Sequence, residues 1–76
     1  MMDSNELTFE NVPNDTKVEE FYQKTESDSV SMRFGYVMGK STNSIIIKYS
    51  SEDYEKYDIH TGKHQKNSTY IKICKK

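Results

Sequence analysis

His60 and His64 stand four residues apart, and with Asp58 or Cys74 they come nearest to a metal site in this chain. Zinc takes four protein ligands in a structural site, or three and a water in a catalytic one. One cysteine without a second ligand pair does not supply that set, so two solvent-facing loop histidines are the expected reading. Cys74 is a nucleophile only if the fold brings it a histidine and lowers its pKa. Beside Ile73 it reads instead as a small core or edge residue. Glu52, Asp53, Glu55 and Asp58 gather around Tyr54 and Tyr57, but acid–base work also needs a cleft that shifts a carboxylate's pKa. Three isolated glycines form no phosphate loop. The expectation is a protein that is not an enzyme, with no metal and no cofactor.

Binding is the better-motivated chemistry, because charge is divided along the chain. Residues 1–30 carry eight acids against Lys17 and Lys24, and residues 31–76 carry nine bases against four acids, although the net charge is only −1. Such a division either closes a small fold or presents two faces to different partners. Glu19, Glu20, Glu52, Asp53 and Glu55 form the candidate acidic face for a protein partner with a basic groove. Arg33, Lys63, Lys66, Tyr70 and Lys72 form the candidate nucleic-acid site, since phosphate binding needs clustered cations and base stacking a nearby ring. Lys75 and Lys76 extend that basic end. Arg33 is the only arginine.

The elements that must position these residues are small. A 76-residue chain makes one domain and buries about 60% of its unfolded surface. Leu, Ile, Val and Phe supply 14 residues, while six Tyr and four Met add apolar surface. There is no Ala, no Trp and a single Leu, a bias that favours strands over helices. Residues 1–5 read as a flexible tail. The acidic start lacks a signal peptide's apolar stretch, no run approaches the ~20 apolar residues that span a bilayer, and the lone cysteine fits a reducing compartment. The expectation is a cytoplasmic protein, monomeric or a small homo-oligomer, away from membranes.

Along the chain, residues 7–12 alternate like a short strand and end at the turn residues Pro13, Asn14 and Asp15. Thr16-Lys17-Val18-Glu19 matches a capping box, and Val18, Phe21 and Tyr22 share a helical stripe, which predicts a short helix. Residues 30–38 and 44–49 predict a hairpin, with Val30, Met32 and Phe34 on one face and Gly35 as a possible bulge. Residues 50–60 fit helix or strand, with strand favoured for 56–60. Residues 61–67 read as a basic loop and 69–74 as a last strand, with Ile71 and Ile73 on one face.

Two families resemble parts of this pattern. The order strand, helix, strand, strand, possible helix, strand over residues 6–74 is similar to an RNA-recognition-motif domain, with residues 7–12 like its first-strand motif and 42–49 like its third-strand motif. The resemblance implies a βαββαβ ferredoxin-like fold. The aromatic platform that stacks bases in that family would here be Thr8, Ser44 and Ile46. Over residues 30–73, the Gly35-Tyr36-Val37 strand, the Ile-rich strand, Tyr57 to Lys63 with its Thr61-Gly62-Lys63, and a final Ile-x-Ile strand look like small Src-homology-3-like barrels, including bacteriophage-encoded ones. That resemblance implies a phage or mobile-element accessory protein, regulatory or inhibitory toward a host or viral protein. The sequence-based expectation is therefore an α+β domain: a small antiparallel sheet or barrel with one short N-terminal helix, binding a protein partner through charged surfaces, or nucleic acid through its lysine-rich C-terminal region.

Overall fold

The structure is a computed structural model that describes residues 8–74. It is all-β among those residues: β1 (Lys17–Thr25), β2 (Asp28–Lys40), β3 (Ser44–Ser50), β4 (Asp53–Asp58) and β5 (Thr69–Ile73). The first four form an antiparallel meander, and β5 returns to pair with β1, which gives the order β4-β3-β2-β1-β5. Beyond β4, the segment around Lys63 and His64 reaches both outer strands through the bridges Tyr57↔His64 and Lys63↔Tyr70. His64 N–H donates to the Thr69 carbonyl at 2.8 Å, and Ile71 N–H to the Gly62 carbonyl at 2.9 Å. These bonds draw the two edges together and curl the sheet.

The expected helix is corrected to strand β1. The alternation is two-residue: Val18 and Glu20 are buried, and Lys17 and Glu19 lie on the other face. A buried carboxylate disguised that period, since Glu20 counts as polar and Phe21 beside it counts as apolar. The expectation of an α+β fold, and of a βαββαβ order, falls with the helix. The strand expected at 7–12 is also corrected. Val12 and Asn11 both donate their N–H to the Thr8 carbonyl, at 2.9 and 3.2 Å, and Asn11 Oδ1 accepts from Thr8 N–H at 2.8 Å, so this stretch is a turn. Leu7 and the expected tail at 1–5 lie outside the described residues.

The hairpin of β2 and β3 forms where expected, and so does the last strand. The ambiguous stretch is strand, spanning Asp53–Asp58, with Ile59 and His60 in a turn. Gly35 is not a bulge. The register shifts fall opposite Glu20/Phe21 and between Val37 and Gly39. Gly35 instead faces the core, where a Cβ would stand 2.6 Å from Ile47 Cγ2 and 2.7 Å from the Tyr49 ring.

The core is Val12, Val18, Val37, Ile45, Ile47, Tyr57, Ile59 and Ile71, with Phe9, Tyr49 and Ile73 packed against it. Each fully buried aliphatic contributes about 1.5–3 kcal/mol. Lys40 fastens the N-terminal turn over this core, its Nζ donating to the carbonyls of Val12 at 2.6 Å and Glu10 at 3.1 Å. Gly62, at φ 79°, lies against the Phe9 ring, and a Cβ there would meet that ring at 2.7 Å, which only glycine tolerates.

Candidate binding face

Glu20, Arg33, Asp53, Tyr49 and Tyr57 form one internal hydrogen-bonded set. Arg33 donates from Nε to Glu20 Oε1 and from Nη1 to Asp53 Oδ2, each at 2.8 Å, and its guanidinium stacks 3.7 Å from the centre of the Tyr49 ring. Tyr57 donates its hydroxyl proton to Glu20 Oε2 at 2.7 Å. The 2.7 Å contact between the Tyr49 and Tyr57 hydroxyls therefore takes its proton from Tyr49. Burial opposes the Arg33 charge, but the hydrogen bonds it donates to Glu20 and Asp53 outweigh it and hold the guanidinium above its ordinary pKa. Burial pushes the Tyr49 phenol up to about 12. Burial, then the bonds to Tyr49 and Glu20, push Tyr57 up further.

His60 is exposed as expected, but the expectation that His64 also faces solvent is corrected: its side chain is buried in a second internal set. Its Nδ1 accepts the backbone N–H groups of Lys66 and Asn67 at 3.0 and 3.1 Å. That leaves the proton on Nε2, which donates to Glu55 at 2.8 Å. Asp58 Oδ1 accepts from the N–H groups of His60 and Thr61 at 2.7 and 3.1 Å, and these bonds hold its carboxyl below the usual range. His60 faces Glu10 at 3.3 Å. Among the described residues no group of three or more His, Cys, Asp or Glu side chains is placed to hold a metal ion. Cys74 is half-buried, with its N–H bonded to the Lys17 carbonyl.

The two sequence-based binding sets are thus split up by the fold. Of the acidic set, Glu20, Asp53 and Glu55 are engaged in these internal bonds, Glu19 accepts from Ser31 Oγ, and Glu52 lies exposed in the β3–β4 turn. The five carboxylates do not share a face. Of the basic set, Arg33 is committed to Glu20 and Asp53, while Lys63 and Lys66 are exposed at the basic loop. Tyr70 and Lys72 stay together on the outward side of β5. The Tyr70 ring stacks on Phe21 of β1 at 5.3 Å with 13° between the planes, and Lys72 Nζ stands 5.6 Å from the centre of the Phe21 ring.

The outward face holds residues that neither set contained. Registers Lys17↔Tyr36, Tyr36↔Lys48 and Lys48↔Tyr54 line up cation, ring, cation, ring across β1, β2, β3 and β4. Residues opposed in register share a face and stand side by side. Phe34 lies two residues along β2 on the same side, with Lys17 Nζ 4.4 Å from its ring centre. The rings are open to solvent, Phe34 and Tyr36 each at 48% and Tyr54 at 46%. Met32 and Met38 are exposed on the same strand. The two-residue alternation of β2 was legible, but it marks the wet side: its inward positions are Arg33, Gly35 and Val37. The available signal was that those three alternate with the aromatic residues, leaving Val37 as the strand's sole aliphatic on the other side.

Fold and face together define a small all-β domain, one curled five-stranded antiparallel sheet with a cationic and aromatic outer surface. No protein-family model matches the chain, and neither any curated protein nor any solved structure matches it.

Proposed function

We propose that this chain is a non-catalytic binding module that takes nucleic acid on the outward face of its sheet. The carrying observation is the cross-strand row of Lys17, Tyr36, Lys48 and Tyr54. Lys56, opposite Ile46, and Lys72 add cations to the same side. Among the described residues the carboxylate interspersed with them is Glu19, held by Ser31. Clustered lysines draw phosphates and release their counterions. Titration of labelled DNA and RNA, single- and double-stranded, tests the proposal. Affinity is expected to fall steeply from low to physiological salt, and Lys17→Gln with Lys48→Gln to flatten that slope. Absence of binding at low salt overturns it.

A protein partner is the second reading, supported by the exposed Met32 and Met38 on the strand that also carries Phe34. Flexible thioethers adapt to apolar partners. An accessory protein that modulates a host or viral protein would then act through this methionine-bearing strand, since three of the five acidic residues are internally engaged. A purified complex that survives high salt but is lost in a Met32→Ser, Met38→Ser variant supports this reading. Its retention in that variant excludes it.

A further inference from the structure

We infer, on the basis of that nucleic-acid reading, that the ligand is single-stranded, with bases laid on Tyr36 and Tyr54 and the intervening backbone held by Lys48. Neighbouring strands lie about 4.8 Å apart, so residues in register on β2 and β4 stand about 9.6 Å apart. Lys48 of β3 fills the gap between them. That separation is nearly three times the ~3.4 Å per-nucleotide rise along one strand of a duplex. Bases that reach both rings must be splayed from one another, which a single strand allows and a paired stack does not.

The rings are suited to this in other respects. Each is about half exposed on a strand, and the Tyr54 hydroxyl donates to the Ser51 carbonyl at 3.0 Å. That bond orients the ring before a base arrives, so less side-chain freedom is lost on stacking. Lys17 stands beside Phe34 and opposite Tyr36, where it can turn to a phosphate. The Phe21 and Tyr70 rings, by contrast, already cover each other. Stacking on an aromatic is tolerant of base identity, so the site selects an unpaired strand and not a sequence.

The experiment compares short oligothymidylate, oligouridylate, duplex DNA and inorganic polyphosphate for binding at low salt, with Tyr36→Ser, Tyr54→Ser, Tyr36→Phe and Tyr54→Phe variants. Both single strands are expected to bind more tightly than duplex and polyphosphate. Each serine variant is expected to weaken single-strand binding about 5- to 150-fold, with Tyr36→Phe near wild type and Tyr54→Phe, which loses the bond to Ser51, weakened less than Tyr54→Ser. Circular dichroism checks the fold of the serine variants. If one fails to fold, the ranking of the four probes by the wild type decides. Equal binding of single strand, duplex and polyphosphate, or unchanged affinity in folded serine variants, overturns the stacking inference and leaves the nucleic-acid proposal standing. Failure of every probe to bind overturns both.

Discussion

The hydroxyl of Tyr57 on β4 reaches Glu20 on β1 at 2.7 Å, although two strands separate β4 from β1 in the sheet. A flat sheet would hold those strands about 14 Å apart, so this bond exists only because the sheet curls. Glu20 is thereby the acceptor that joins the two halves of the fold, receiving Tyr57 on one oxygen and Arg33 on the other.

Replacing that acceptor should therefore cost more than a typical polar substitution. Glu20→Ala takes the acceptor from the Tyr57 hydroxyl proton and leaves the Arg33 guanidinium with Asp53 alone, with an expected loss of about 2–3 kcal/mol. Glu20→Gln keeps an oxygen for Tyr57 and should lose less. Urea denaturation followed by circular dichroism measures both. Equal stability of all three proteins would show that the bond does not hold the curl.

Alkaline sensitivity follows from the tyrosine pair. Tyr49 and Tyr57 both lie above the ordinary value of 10.0 in the folded state, so folding favours their protonated forms. That stabilisation is intact below the ordinary value and is lost as pH rises from there through the folded-state values. The thermal midpoint should fall above about pH 10, and Tyr57→Phe should show a shallower fall because one of the two linked groups is gone. Parallel pH profiles for the two proteins would contradict this.

Two glycines of one strand should respond in opposite ways. Gly35→Ala places a methyl 2.6 Å from Ile47 Cγ2, an overpacking expected to cost about 1–3 kcal/mol. A Cβ on Gly39 has nothing within 4 Å, so Gly39→Ala should be neutral or stabilising by up to about 1 kcal/mol. Chemical denaturation of the two variants gives the comparison; a larger loss at Gly39 would invert the assignment of the inward face.

His64 is predicted to order the loop that draws the sheet edges together. His64→Ala removes the acceptor for the N–H groups of Lys66 and Asn67 and the donor to Glu55, at an expected cost of about 1–3 kcal/mol. Hydrogen exchange at Lys66 and Asn67 should accelerate more than at Ile47 in the central strands. Uniform acceleration would instead indicate a role in global stability alone.

Strand-forming composition, the β2–β3 hairpin, the last strand and the turn at residues 13–15 were all legible, because β-branched runs, two-residue alternation and turn residues are local signals. The helix expected at 16–22 shows where local signals stop. Its capping box and apolar stripe are real features of the sequence. They give way to pairing with β2 and β5, which buries Val18 and sets Glu20 beside Arg33, while the curl of the sheet brings it Tyr57 of β4. The fold disperses the two binding sets for a related reason. Charge counting cannot tell a carboxylate that faces solvent from one that accepts a buried hydroxyl, nor say which side of β2 is wet.

What the amino-acid sequence determined by itself was therefore the currency of the fold: a small β-rich chain, its turns, its alternating strands and its divided charge, all set by neighbours a few residues apart. Tertiary structure alone decided which face of each strand is inside. That choice depends on groups far apart in the chain, such as Glu20 and Tyr57, being brought to hydrogen-bonding distance. The same choice turned Lys17, Tyr36, Lys48 and Tyr54, spread over 38 positions, into one row on the outer surface.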